Sequence, residues 1–196
     1  MEKEAKTLKD DEVFTQGEIL SFIRNHKSSK PKLQECECAF IALSYLSAGR
    51  VSEIVNRIKV KHISYDTLED EEKRIRKFMT IRLPYTLKNK KHPARILVSP
   101  IDKEAVFVEF IENYIKIDKL NRDDVMFPFS RVKGWKIIKK ATGERHHWLR
   151  HCRISHLISL YNYNEAEIMR NAGWSNTKPL STYAHLMKES YMRKMI

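Results

Sequence analysis

Five side chains in this sequence have the types that a phosphodiester demands. Arg50 lies in Ala48-Gly49-Arg50-Val51-Ser52-Glu53, His147 and Arg150 lie in His147-Trp148-Leu149-Arg150-His151, Trp174 follows Gly173, and Tyr183 comes nine residues after that tryptophan. Cutting such an ester without a metal takes a clamp on the two non-bridging oxygens, a nucleophile, and an acid for the leaving oxygen. Arginine suits the first task, because its guanidinium is always charged and meets phosphate through paired hydrogen bonds. The i, i+3 spacing of His147 and Arg150 puts both on one side of a helix near its N-terminus. A histidine there can donate to a phosphate oxygen or exchange a proton with a tyrosine hydroxyl. Tyr183 is the candidate nucleophile; a free phenol has a pKa of about 10, so it needs nearby positive charge or a base. The Trp174 indole N–H can donate to phosphate, although core packing alone would also explain that residue.

Singly, each residue has a plainer explanation. An arginine on a helix is usually a solvated charge, one histidine among eight is more often structural, and most tyrosines pack with a wet hydroxyl. His147 and His151 also have the i, i+4 spacing of a helical zinc site, but Trp148 stands where the glutamate of the HExxH metallohydrolase pattern belongs. Cys36-Glu37-Cys38 lacks the spacing and the second pair of a structural zinc site, and three cysteines do not make a disulfide framework. We expect no metal, nucleotide or organic cofactor.

The elements that must position these groups follow from periodicity. Thr15 can cap a helix running to about His26, and a second helix, about Lys32 to Ala48, is nearly apolar all round, which marks it as central. Gly49 reads as its stop, so Arg50 sits at the turn into a short helix, VSEIVNR. HISYD, KFMTIRLPYT and ARILVSP read as a three-stranded antiparallel sheet, with an acidic loop DTLEDEE and a lysine-rich turn between them. Helices then return. One has Val106, Phe107, Phe110, Ile111 and Tyr114 on its apolar face, and a basic one buries Val132, Trp135, Ile137 and Ile138. The rest are expected from His147 to Tyr161, from an Asn164 cap to Gly173, and after Asn176. The last turns form an amphipathic tail whose Leu186, Tyr191 and Met195 need an apolar partner. The fold class is α+β, mainly α, as one domain over 13–196 behind a flexible charged arm, 1–12.

Charge agrees with a polyanionic partner. Against 25 Asp and Glu stand 37 Lys and Arg, an excess of 12 positive charges, and they cluster as Lys73-Arg74-Arg76-Lys77, Lys88-Lys90-Lys91-Arg95 and Arg131-Lys133-Lys136-Lys139-Lys140. Phosphate backbones reward such rows by releasing counterions. No apolar run is long enough to span a bilayer, and the first dozen residues are too charged for a secretory signal, so we expect a soluble, intracellular protein without a membrane partner.

Together these motifs resemble the catalytic domain of the tyrosine recombinases, the phage-type integrases. HWLRH closely matches their His-x-Leu-Arg-His pattern, and NAGWSNTKPLSTYAHL resembles their Gly-His or Gly-Trp, polar turn, Thr and Tyr. The resemblance runs from about residue 13 to the C-terminus. It implies a helical domain with a small three-stranded antiparallel sheet, Arg50 and Arg150 converging on one phosphate, and Tyr183 cutting DNA through a covalent 3′-phosphotyrosyl link. It also implies that Glu53 buttresses the site. A lysine in the turn between the second and third strands would act as acid; Lys88 fits best, with Lys90 and Lys91 as alternatives. The expected partner is double-stranded DNA, held by a homotetramer. Kin to a type IB topoisomerase or a telomere resolvase, or a catalytically silent DNA-binding module, are the alternatives. The family's N-terminal DNA-clamping domain has no counterpart here, which suggests a fragment of a larger integrase, with a natural single-domain member as the alternative. Lys, Glu and Ile usage is compatible with an archaeal or thermophilic source, or a virus-encoded protein.

Overall fold

The computed structural model describes residues 13–84 and 94–195. The arm 1–12 and the candidate lysines Lys88, Lys90 and Lys91 lie outside the described residues. Helix α1, Gln16–Asn25, starts as its sequence dictates: the Glu18 N–H donates to Thr15 Oγ1 and the Glu18 carboxylate accepts from the Thr15 N–H, a reciprocal capping box. A 3-10 turn, Pro31–Leu33, leads into α2, Gln34–Leu46, in which every residue from Cys36 onward is buried. An apolar helix without a polar face has no side to give to water, and α2 is the axis of the main core.

Two details at the end of α2 depart from expectation. The residue with positive φ is Ala48 (φ 43°), not Gly49. Gly49 answers a lack of space instead: a Cβ there would lie 2.8 Å from Ser47 Oγ and 3.0 Å from Ile54 Cδ1. The following helix, α3, is a single turn, Val51–Ile54. Val55 is extended and Asn56 left-handed (φ 56°), because the Asn56 N–H leaves the helix to bond the carbonyl of Phe127 at 3.0 Å.

Strands β1 (Ile63–Glu69), β2 (Ile75–Leu83) and β3 (Arg95–Pro100) form the expected antiparallel sheet in the order β1-β2-β3. β1 runs on through Asp66-Thr67-Leu68-Glu69, which the sequence assigns to an acidic loop, because those residues pair in register with Phe78 back to Ile75. The turn shrinks to Asp70–Arg74, where the Asp70 carboxylate accepts from the N–H groups of Glu72 and Arg74. Met79, Ile81, Leu83 and Leu97 give the sheet one buried face, packed on the core.

Helices α4 (Ile101–Ile117), α5 (Arg131–Thr142), α6 (His146–Ser159), α7 (Glu165–Ala172) and α8 (Ala184–Arg193) complete the domain. On α5 the expected buried face is half wrong: Ile137 and Ile138 are buried, but Val132 and Trp135 are exposed. Gly134 decides the orientation. It lies so close to α2 and α3 that an added Cβ would meet Val51 Cγ1 at 3.0 Å and Phe40 Cζ at 3.1 Å, and this contact turns its neighbours outward. Helix α6 is pinned from below by a buried ion pair. Both terminal nitrogens of Arg153 donate to the Glu104 carboxylate of α4, which also accepts from the Tyr161 hydroxyl at 2.7 Å. A second apolar cluster joins α6, α7 and α8, with Trp148 touching both clusters. In the tail, Leu186 and Met187 are buried in that cluster, whereas Tyr191, Met192 and Met195 stay exposed. Among the described residues no helix is long and apolar enough to cross a membrane.

Candidate active site

The site begins where α2 ends. Arg50 caps α3, with its backbone N–H donating to Glu53 Oε2 at 2.7 Å and its Nη1 to Glu53 Oε1 at 2.9 Å. Glu53 itself is buried, while the Arg50 side chain remains 49% exposed and can still turn to a ligand. Arg95, at the start of β3, supplies a second cation: its Nη2 donates to Glu53 Oε2 at 2.5 Å and its Nη1 to the carbonyl of Asn171 at 2.5 Å. One side chain thereby ties the sheet to α3 and to the end of α7. Gly173 closes α7 with φ 65°, and a Cβ there would lie 2.5 Å from Arg95 Cδ, so glycine serves both the turn and this contact.

Arg150 comes from α6 and is only 2% exposed. Its Nη1 donates to the carbonyl of Ala48 at 2.6 Å, two residues before Arg50, and its Nη2 donates to the carbonyl of Ala172. The convergence across a hundred sequence positions is thus made by backbone carbonyls at two helix ends. The Arg150 guanidinium also lies 5.8 Å from the centre of the Trp174 ring. Three guanidiniums, Arg50, Arg95 and Arg150, share the single carboxylate of Glu53. Burial first, then the like charges of Arg95 and Arg50, push the Arg150 pKa down to about 9, which leaves it cationic at neutral pH. Burial alone would raise Glu53, but Arg95, the Arg50 N–H and the Arg50 charge together hold it below the ordinary carboxylate value. The local excess of positive charge is what an anion would relieve.

His147 is exposed at the start of α6, and its ring packs edge-on against His151 with centroids 4.7 Å apart. Desolvation, then Arg150 and Arg50, lower its pKa and keep the ring neutral at neutral pH. Tyr183 ends a 3-10 turn, Lys178–Tyr183, immediately before α8, and its ring sits 6.0 Å from Trp174. The Tyr183 hydroxyl and Nδ1 of His151 lie within hydrogen-bond distance of each other. Burial raises the phenol pKa far above its ordinary value, and the Arg150 charge only partly counters it.

Beside Arg50 opens a cleft of about 770 Å³ lined by α3, α5 and the start of α6. Arg131, Lys139, Arg145 and Arg50 supply its charge, and Trp135, with Arg131 stacked 5.0 Å from its centre, supplies an aromatic wall. His146 and His147 complete it, and burial pushes the His146 pKa down to about 4. Among the described residues no group of three His, Cys, Asp or Glu side chains could hold a metal.

The structure therefore brings Arg50, Glu53, His147, Arg150, Trp174 and Tyr183 into one neighbourhood, while Lys88 falls outside the described residues. Sequence reasoning missed two members. Arg95 carries no local signal, since its partners are 42 and 76 positions away. His151 has one: it lies a full turn beyond His147 on the same face, where a second ring must approach whatever the first one does.

No protein-family model and no curated protein sequence matches the chain. Solved structures do. XerH site-specific recombinase bound to palindromic difH substrate, in a post-cleavage complex, aligns with 98% of this chain and 53% of its own at TM-score 0.65 and 17% identity. The XerH pre-cleavage complex with difH aligns at TM-score 0.64 and 17% identity, covering 99% of this chain and 54% of that one. FLP recombinase in a Holliday junction complex aligns at TM-score 0.50 and 15% identity, covering 83% and 43%. The chain spans about half the length of the XerH chain. Its fold is the expected one, mainly helical with a three-stranded antiparallel sheet, and it is shared with the XerH recombinase.

Proposed function

We propose that this chain is the catalytic domain of a tyrosine-type site-specific recombinase, which cleaves and rejoins double-stranded DNA through a covalent 3′-phosphotyrosyl intermediate. The observation that carries the reading is the cluster of three arginines around one carboxylate, with a buried tyrosine held beside it. A scissile phosphate would supply the missing negative charge. Arg50 and Arg150 would clamp its non-bridging oxygens, and Glu53 would hold Arg50 in place. His147, neutral and on the cleft side, would donate to the same oxygens, and the Trp174 indole N–H would do so from the α7 end. Tyr183 would attack phosphorus in line with the 5′ oxygen, which Lys88, or in its place Lys90 or Lys91, would protonate.

The basic cleft fits the flanking duplex: cations meet the backbone, and Trp135 gives an apolar surface beside them. The DNA complexes of XerH, at the same fold, support this use of the surface. Exchange between two duplexes would take a homotetramer on DNA.

The test is a nicked suicide duplex built on the sequence that the protein enriches from a randomised duplex pool. Wild type is expected to leave a covalent adduct on a denaturing gel, and Tyr183→Phe none. An adduct that persists in Tyr183→Phe would sink the assignment, and binding without any adduct would mark a silent DNA-binding module. Adduct resolved only by resealing on one duplex, with no strand exchange, would point to a topoisomerase-like or telomere resolvase-like reaction.

A further inference from the structure

We propose that His151, not His147, is the general base that takes the proton of Tyr183 during strand cleavage; this rests on the recombinase reading above. The nucleophile's hydroxyl lies within hydrogen-bond distance of one imidazole nitrogen, Nδ1 of His151. The two rings lie 5.8 Å apart and 33° from parallel, so the contact is held by packing as well as by the hydrogen bond. Tyr183 is 1% exposed, which leaves bulk water no access to its proton. The nearby carboxylate, Glu53, is occupied on both oxygens by Arg50 and Arg95. His147 and His151 share one face of α6 but sit a turn apart along it, so His147 lines the cleft while His151 meets the nucleophile.

A phenol can donate to Nδ1 only when the imidazole carries its own proton on Nε2 and is neutral. The groups that face His151 enforce neutrality: burial first, then His147 and Arg150 of α6, push its pKa down to about 4, while Trp148 and Tyr183 present rings. In the resting site the proton therefore stays on Tyr183. As the phenol oxygen forms its bond to phosphorus, its proton passes to Nδ1 and leaves an imidazolium. The P–O5′ bond breaks, and the 5′ oxygen departs with a proton from a neighbouring acid or from water. On rejoining, the incoming 5′ hydroxyl passes its proton to the acid or water that gave one up in cleavage and its oxygen attacks phosphorus; the bond from phosphorus to the tyrosyl oxygen breaks, and the imidazolium returns its proton to that oxygen.

The experiment compares wild type, His151→Asn, His151→Ala and His147→Asn on the suicide duplex in two forms, with oxygen or with sulfur at the bridging 5′ position. A sulfur leaving group needs no acid but still needs a base for the nucleophile. Asparagine keeps a polar acceptor near the Nδ1 position but cannot take a proton, so a merely structural role would be rescued by it. We expect both His151 variants to cleave about 10²- to 10⁴-fold more slowly than wild type on both substrates. The acid limb of the pH–rate profile should vanish in His151→Asn and persist in His147→Asn. Cleavage at wild-type speed by His151→Asn, or recovery on the sulfur substrate, would overturn the inference. In the DNA-free protein, ¹⁵N imidazole spectra should show His151 Nδ1 unprotonated and shifted by Tyr183→Phe; a proton on Nδ1 would overturn it whatever the variants do. If wild type forms no adduct on either substrate, the recombinase reading itself fails and takes this role with it.

Discussion

Arg150 and Arg153 lie one turn apart on the same helix and are equally buried, at 2% exposure each, yet their surroundings are opposite. Arg153 meets a full carboxylate through both terminal nitrogens, and its guanidinium lies over the rings of Tyr45 and Tyr161. Burial alone would lower its pKa, and Glu104 more than reverses that. Arg150 has two backbone carbonyls and a share of Glu53, and it faces Arg50 and Arg95 as well. A satisfied buried charge can only hold helices together. An under-compensated one is poised for an anion, and this is why the same residue type reads as scaffold at one position and as candidate phosphate clamp at the other.

The largest expected effect separates the two arginines by stability. Arg153→Met leaves Glu104 buried without its partner and should cost about 3–5 kcal/mol in chemical denaturation, while Arg153→Met with Glu104→Met should return close to wild type. Arg50→Ala, at a half-exposed pair, should cost no more than about 1 kcal/mol and yet remove cleavage. Equal destabilisation by Arg153→Met and Arg50→Ala would erase the contrast.

Acid offers a second handle, because a buried neutral histidine stands at each site. His146 lies by His147 and Arg150 and His156 by Arg153, and burial first, then the charges that these neighbours carry, push each pKa down to about 4. An unfolded histidine titrates near about 6.5, so below that pH the unfolded chain binds more protons than the folded one. Stability is therefore full above pH ~6.5 and falls as pH drops toward ~4, by up to about 3 kcal/mol for each group. Urea midpoints at pH 7 and pH 5 should show the fall, and His156→Gln should shrink it; flat midpoints would contradict the assigned burial.

The smallest effect is a direct probe of the charge excess. Sulfate, matched to chloride in ionic strength, should stabilise wild type by about 1 kcal/mol when present at several times its dissociation constant. Arg50→Ala should lose that increment. Lys61→Ala, in a surface pair with Asp123, should keep it. An equal sulfate effect in all three proteins would mean a general salt response and no clamp.

What the sequence disclosed was local. The Thr15 and Asn164 caps and the Gly173 stop are short-range bonding problems with few solutions, and each appears where its residues place it. The all-round apolar character of α2 predicted its central position for the same kind of reason. The single-turn length of α3 was hidden because it depends on the carbonyl of Phe127, and the outward turn of Trp135 because it depends on how closely Gly134 meets α2 and α3. At the site, the motif residues were legible through spacing and resemblance. Arg95 and the Arg153–Glu104 pair were not, since a charge acquires its meaning from a partner that periodicity cannot supply. His151 was legible as a position on a helix face but not as the partner of Tyr183, which arrives from 32 residues away.

The central claim is that the arginine cluster presents a phosphate to Tyr183. It is tested most directly by digesting the covalent adduct formed on the suicide duplex and locating the attached nucleotide by tandem mass spectrometry. The expected product is a 3′-phosphoryl nucleotide on Tyr183, within Leu180-Ser181-Thr182-Tyr183-Ala184-His185. A nucleotide on any other side chain, or attached through its 5′ phosphate, would contradict it.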